Sequence, residues 1–298
     1  MDPHWDDMKI FLAVAREESL SGAGRVLRLD PATVGRRIAR LEQAMDTPLF
    51  VKSPQGYALS AAGDRLLSHA EAAEQAMRAA SEALSGPSGS LSGQIRIGAP
   101  DGCANYLLPR VCAQISEENP DLDIQIVALP RVVNLSRREA DMAITVSAPT
   151  AGQLLVQKIT DYRLHLVASR RYLRDNPPVE TVADLRGRRM IGYIPDMIFD
   201  AELDYLTALG VERVPLASNS VPVQLKLAMQ GVGLCVAHDF CLPSYRPLRK
   251  LLADEICLTR AFYLVRHQGD QRSERMTRFS DQLCEGLREE VARLEAAT

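Results

Sequence analysis

The chain has 298 residues, 46% of them hydrophobic and 24% charged, and a formal net charge of −3. This length predicts two or three compact units, and the composition argues against both a disordered chain and a membrane-resident one, since no run approaches the ~18 apolar residues of a membrane helix. Overall charge does not favour a nucleic-acid ligand, but its distribution does: Arg25, Arg28, Arg36, Arg37 and Arg40 face Asp30 alone between positions 25 and 40, a basic patch fit to meet phosphate.

The opening MDPHWDDMKI carries acids and no apolar stretch, so no secretory signal is expected and the cytoplasm is the expected compartment. The six cysteines (Cys103, Cys112, Cys235, Cys241, Cys257, Cys284) show neither C-x-x-C pairing nor zinc spacing, and reduced thiols, most of them buried, are expected. An enzyme is disfavoured. The histidines His4, His69, His165, His238 and His267 are scattered, G-x-S-x-G and H-E-x-x-H are absent, and Gly231-Val232-Gly233 is too short for a nucleotide loop. No catalytic residue, metal or cofactor is expected.

Trp5, Met8, Phe11, Leu12 and Ala15 space a first helix. Residues 19–45 read as a short helix, a tight turn and a second helix with Asp30 as N-cap and Pro31 as its first residue. Val34, Ile38, Leu41 and Met45, at spacings of 4, 3 and 4, line its core face. Ala32, Thr33, Arg36 and Arg40 fall opposite, with Arg37 on the flank. Such a helix can enter a DNA major groove with its back anchored; a solvated surface face is the plainer reading. Next come Leu49 to Lys52, a Pro54/Gly56 turn, and Tyr57 to Leu59, a β-hairpin. The order is that of a winged helix-turn-helix, with Lys52 and Gln55 at the wing placed to reach the sugar-phosphate backbone or the minor groove beside the second helix.

Ser60 caps a long helix, Ala61 to Leu84, on which Leu66, Ala70, Ala73, Met77, Ala80 and Leu84 recur at spacings of 4, 3, 4, 3 and 4, a heptad seam. So alanine-rich a helix needs a partner. A homodimer through 61–84 is expected, packing on its own chain being the alternative. Residues 85–93, SGPSGSLSG, form a linker. Beyond it the pattern is βαβαβ: strand Gln94–Ala99, a helix with Leu107 to Ile115, strand Leu122–Leu129, short helix Val132–Arg138 and strand Asp141–Val146. After a crossing strand Tyr162–Ala168 follow strand Met190–Tyr193, helix Ala201–Leu209, a strand near Val214–Ala217, helix Val221–Met229 and strand Val232–Ala237. Strand Ala261–His267 and a helix from Met276 to Leu294 close the chain. Two α/β units with crossings near 165 and 263 imply a two-lobed domain over a mostly parallel sheet. The expected division is 1–59 for the DNA-binding winged helix-turn-helix, 60–93 for linker helix and hinge, and 94–298 for an effector-binding domain, lobe I being 94–164 and 264–298 and lobe II 165–263.

This order of parts resembles LysR-type transcriptional regulators, whose N-terminal pattern appears as FLAVAREESLSGAGRVLRLDPATVGRRIARLE, then PLF, then LSAAG, with shorter echoes in LRGRRMIGY and AMQGVGL. The resemblance covers essentially the full length and implies an α/β effector domain like a type 2 periplasmic binding protein. It further implies double-stranded DNA, a small-molecule effector and RNA polymerase as partners, a homotetramer, and bending of promoter DNA. Where many members have Ser-Gln-Pro, this chain has Asp30-Pro31-Ala32, losing a glutamine able to pair with adenine. Gly35 replaces the usual serine and Gly24 the second alanine, and an interior glycine predicts a slightly looser recognition helix. Arg36, central on the outward face, is the first choice for a base contact, followed by Thr33 and Arg37; Arg40 and Lys52 are expected on phosphate.

Strand C-termini and helix N-termini offer unpaired N–H groups to an anion, which places an effector among Asp101, Gly102, Cys103 and Ala104, among Pro130, Arg131 and Val132, and beside Thr145 and Ser147. The other lobe contributes Tyr193, Ser218, Asn219, Ser220 and His238. A small organic acid is expected, although Asp101 and His238 equally suit a cationic or amino group. A thiol-redox trigger on the same scaffold is the alternative: Cys103 opens a helix, where its pKa can fall. Cys112 lies two turns on, about 13 Å away, and Cys235 and Cys241 form another pair.

Overall fold

The computed structural model of the chain describes residues 4–53, 56–84, 91–128, 140–150 and 154–298. They form two compact units, one reaching to Leu84 and one from Leu91 onward, each around its own core. Among the described residues no helix is long and apolar enough to cross a membrane.

The first unit runs α1 (Trp5–Glu17), α2 (Leu20–Leu27), α3 (Pro31–Ala44), β1 (Phe50–Ser53), β2 (Gly56–Leu59) and α4 (Ala61–Leu84). The Ser19 hydroxyl accepts from Gly22 N at 3.3 Å and the Asp30 carboxylate from Ala32 N at 2.8 Å, so each helix starts on a side-chain cap. Between them Arg28 turns left-handed (φ 55°) and Leu29 N donates back to Gly24 O at 2.9 Å, the six-to-one bond of a Schellman ending. A Cβ at position 24 would stand 2.6 Å from the Leu29 carbonyl, so glycine here is a requirement of this tight turn. Val34, Ile38 and Leu41 bury their stripe against Phe11, Leu12 and Val14 of α1. The hairpin pairs Phe50 with Leu59 through Ser53 with Gly56. Its second strand is tied to α1 where Tyr57 N donates to Glu18 O at 2.8 Å.

Ser60 caps α4 as expected, accepting from Gly63 N at 3.0 Å. The heptad seam then divides. Leu66 and Ala70 join the core under α1, and Arg16 ties α1 to Glu74 at 2.7 Å, whereas Ala73, Met77 and Ala80 are exposed. The helix thus packs on its own chain with its first half, while Ala73, Met77 and Ala80 further along are exposed.

The second unit contains β3 (Gly93–Ala99), α5 (Asp101–Tyr106), α6 (Leu108–Glu118), β4 (Leu122–Ala128), β5 (Met142–Thr145), β6 (Leu154–Ser169), α7 (Arg170–Asp175), β7 (Met190–Gly192), β8 (Leu216–Ala217), α8 (Val221–Met229), β9 (Leu234–His238), β10 (Leu248–Leu251), β11 (Cys257–His267) and α9 (Glu274–Glu295). Strand order is β4-β3-β5-β11-β6-β9-β7-β8, with β10 on β6. Parallel β3, β4 and β5 make the first lobe and parallel β7, β8 and β9 the second. The antiparallel strands β6 and β11 belong to both: β11 pairs with β5 through Tyr263–Arg266 and β6 with β9 through Leu164–Val167. Their mutual ladder shifts register between Phe262 and Tyr263. At this crossing the Tyr162 and Phe262 rings stack at 4.2 Å, with Phe240 and His238 alongside.

Several elements differ from expectation. The expected helix at 201–209 is two 3₁₀ turns, Ala201–Leu203 and Thr207–Leu209, because Asp200 caps Glu202 N and Asp204 caps Thr207 N, each aspartate starting the backbone anew. The helix expected across 107–115 is α6, which begins at Leu108, and a separate short helix, α5, precedes it. Strands β6 and β11 are longer than their apolar runs, and α7 and β10 were not foreseen. The linker core at 85–90, Gln55, the expected helix at 132–138, and Pro130, Arg131 and Val132 lie outside the described residues.

Candidate DNA interface and effector lobe

The outer face of α3 carries Ala32, Thr33 and Arg36, with Ala32 and Arg36 exposed and Thr33 half-buried. Arg36 Nη2 donates to Thr33 Oγ1 at 3.0 Å. One turn of helix therefore presents a pre-oriented guanidinium, a shape that matches the O6/N7 edge of guanine. Lys52 on the wing is exposed, its ammonium 5.8 Å from the centroid of the Tyr57 ring, within cation–π range.

Arg37 and Arg40 are placed differently. Both grip Asp7 of α1, which is 2% exposed: Arg37 Nε donates to Oδ1 at 2.7 Å, Arg40 Nε to Oδ2 at 2.8 Å and Arg40 Nη2 to Oδ1 at 2.6 Å. Burial opposes ionisation of Asp7, yet the hydrogen bonds and charge of the two arginines prevail and hold its carboxyl below the usual range. The pair fixes the angle between α3 and α1, and only the outer N–H groups remain to Arg40, whose side chain is 47% exposed. Sequence reasoning missed Asp7 because acids in a first helical turn already have a rationale in the helix dipole.

In the second unit, residues expected to line a cleft touch across it. Asp101, at the start of α5, accepts from Val221 N at the start of α8 at 2.7 Å and from Asn105 at 3.0 Å. A Cβ at Gly102 would lie 3.6 Å from both His238 and Val221. Ser147 hydrogen-bonds Asp200, and Thr145 Oγ1 donates to Ser147 O at 2.6 Å. Tyr106 and Tyr245 share a 2.6 Å hydroxyl bond between the lobes. Ser218 accepts from Ser220 N at 3.1 Å; Ser218, Asn219 and Ser220 are half-buried, as is Tyr193, which packs edge-on to Tyr205. Tyr205, inside the segment read as one helix, and Asp200, just before it, are not among the expected site residues. Nor is Tyr162, whose buried hydroxyl has no partner among the described residues.

His238 is buried at this junction, 3.4 Å from the Tyr205 hydroxyl. Burial drives its pKa down from 6.5 to about 4, the Asp239 charge pulling the other way. A folded pKa below the unfolded one gives stabilisation that is complete above about 6.5 and is lost as pH falls toward about 4. Thermal unfolding of this unit should therefore move to lower temperature across that window, and His238→Phe should flatten the dependence.

Cys257 is exposed, and the buried cysteines of the thiol-redox alternative lend it no support. Cys103 and Ala104 are buried, and burial raises the Cys103 pKa strongly instead of letting the helix N-terminus lower it. Burial likewise pushes Cys112 and Cys235 up to about 12 and raises Cys241 well above its ordinary value. Such thiols are poor nucleophiles.

Comparison with known proteins matches both parts of the chain. Residues 5–64 match the bacterial regulatory helix-turn-helix protein, lysR family, and residues 88–288 match the LysR substrate binding domain. The chain is similar to the HTH-type transcriptional regulator DgdR of Burkholderia cepacia, 32% identical over 151 residues, spanning 49% of this chain and about half (50%) of that relative's length. It is similar to the HTH-type transcriptional regulator CrgA of Neisseria meningitidis serogroup C at 22% identity over 297 residues, 96% of this chain and 98% of that one. Among solved structures, a full-length OxyR variant from Pseudomonas aeruginosa shares the fold with a TM-score of 0.74 at 14% identity, covering 97% and 95% of the two chains. With a helix-turn-helix unit and a two-lobed α/β unit matched in this order, the chain belongs to the LysR family of DNA-binding transcriptional regulators.

Proposed function

We propose that the protein binds a promoter pseudo-palindrome as a dimer or tetramer, setting one α3 in the major groove of each half-site, and that a small molecule in the α/β unit alters that binding. The observation that carries this reading is the outward face of α3: Arg36 oriented by Thr33 on a helix whose other two arginines are locked to Asp7. A lone winged helix reads one half-site. The exposed Ala73, Met77 and Ala80 supply a seam for a second copy, and spacing of half-sites by a helical turn or a multiple follows from the two-fold symmetry. A tetramer and a contact with RNA polymerase follow from family membership alone. Sedimentation of the full chain with and without the DNA upstream of its own gene tests the assembly: a species of two or four chains on DNA is expected, and one chain per duplex would overturn it.

Arg36, Thr33 and Ala32 are assigned to bases, Arg37, the further base candidate, is held on Asp7 as a brace of α3, and Arg40, Lys52 and Gln55 are assigned to the backbone, with Arg40 reaching phosphate from its clamp on Asp7. Lys52→Ala should weaken binding to every duplex alike, by less than about 1 kcal/mol, and lower the slope of log affinity against log salt by about one. A sequence-selective loss would move Lys52 to a base.

In the α/β unit the α8 N-terminus already receives a carboxylate, that of Asp101, so the expected small organic acid loses that anchor. The effector site is drawn from Asp101, Gly102, Thr145, Ser147, Tyr193, Ser218, Asn219, Ser220 and His238, Cys103 and Ala104 backing it from the core and Pro130, Arg131 and Val132 completing it. Effector binding shifts lobe closure to the extent that it favours one closure state. Cys103→Ser with Cys235→Ser should leave both DNA binding and its response to peroxide unchanged; loss of a peroxide response in that double variant would restore the thiol trigger.

A further inference from the structure

We propose that a cavity inside the second lobe binds a small molecule bearing an ammonium group on an apolar body. The cavity, about 370 Å³, is closed by the ends of β7 and β9, the 3₁₀ turns at 201–209 and the side chain of Gln224. That volume lies in the range of small-ligand sites, which combine apolar walls with a few fixed polar groups. Here the walls are chiefly Ile198, Leu206, Val214 and Val236.

The charged groups are of one sign. Asp204 and Glu212 line the cavity, and none of its lining residues is Lys, Arg or His. Hydrogen bonds from Thr207 hold the Asp204 carboxyl below its ordinary range, so it is ionised at neutral pH. Gln224 is 3% exposed. Its Nε2 is spent on Ser218 O at 2.7 Å, which fixes the amide orientation, while its Oε1 bonds none of the described residues. An open acceptor of fixed direction on the cavity wall orients a ligand. It asks for a donor, and an ammonium satisfies it while meeting two carboxylates. The hydroxyls of Tyr193, Tyr205 and Thr207, which also line the cavity, can serve either kind of ligand, but a carboxylate would meet two like charges. Gln224 is also the polar residue on the buried face of VPVQLKLAM, a position where a purely structural helix would carry a hydrophobe.

This assignment rests on reading the α/β unit as the effector-binding unit, and the test separates the two. Calorimetry on the full chain uses 2-phenylethylamine, cyclohexylmethylamine and isoamylamine, with phenylacetate as the anionic counterpart. At least one amine should bind with Kd below about 1 mM, and phenylacetate at least about tenfold more weakly. Glu212→Gln, at an exposed position, should weaken the amine about threefold to fivefold without moving the unfolding midpoint. Val214→Trp, which fills the cavity, should abolish binding. Binding that changes operator affinity supports both readings, and binding without such a change supports the site while removing its role as effector site. Failure of all three amines, equal or tighter binding of phenylacetate, or amine binding unchanged in Glu212→Gln and in a folded Val214→Trp each overturns the proposal.

Discussion

Replacing Arg36 with alanine should lower affinity for the native operator by about 1–3 kcal/mol and leave one base-pair position of each half-site indifferent. Arg36 is the exposed guanidinium at the centre of the outward face of α3, held by Thr33 at 3.0 Å, and its removal disturbs no buried group. Stability should therefore be unchanged. Binding to unrelated duplexes should fall much less, by the single phosphate-range charge lost. The check is a competition assay in which each half-site position is varied in turn: wild type discriminates at one position that the variant no longer distinguishes. Arg36→Lys should recover charge without recovering discrimination, because an ammonium lacks the planar fork.

Asp7→Ala should destabilise the first unit by about 1–3 kcal/mol. The carboxylate is 2% exposed and receives three hydrogen bonds from Arg37 and Arg40, so deletion strips both arginines of their anchor. The loss stays below that of a fully buried pair because Arg37 and Arg40 are 27% and 47% exposed and regain water. The sign of the pH dependence follows from the lowered Asp7 pKa: its stabilisation is complete above the unfolded value, about 4, and disappears as pH falls through the lower folded value. The difference in unfolding midpoint between wild type and Asp7→Ala should hold at neutral pH and close in acid. Release of Arg37 and Arg40 should also reduce the ratio of specific to nonspecific DNA binding, since α3 loses its brace on α1.

What could be read from the residues was local. Asp30-Pro31 and the 4, 3, 4 spacing of Val34, Ile38, Leu41 and Met45 define α3, and the alternation of strand and helix beyond residue 93 defines two lobes, because caps and apolar periodicity act within a few residues of themselves. What could not be read was the pairing of groups distant in the chain. Asp7 lies 30 residues from Arg37 and 33 from Arg40, and Asp101 lies 120 from Val221. Leu203, Leu206 and Leu209 have helical spacing, yet Asp200 and Asp204 impose separate turns. Cys103 stands in the first turn of α5, but that helix is only six residues long, its Gly102, Cys103 and Ala104 are buried, and burial outweighs its dipole. The seam of α4 is one pattern in the sequence and two surfaces in the structure, Leu66 and Ala70 joining the core under α1 and Ala73, Met77 and Ala80 being exposed.

Footprinting the DNA upstream of the protein's own gene, with wild type and Arg36→Ala side by side, tests the central claim most directly. Wild type should protect two half-sites on one face of the duplex, centred one helical turn or a small multiple apart, and Arg36→Ala should lose protection first over the bases inside each half-site. Protection of the same bases by both proteins at equal concentration, or no discrete protected half-site with wild type, would contradict the assignment of α3 as the reading helix.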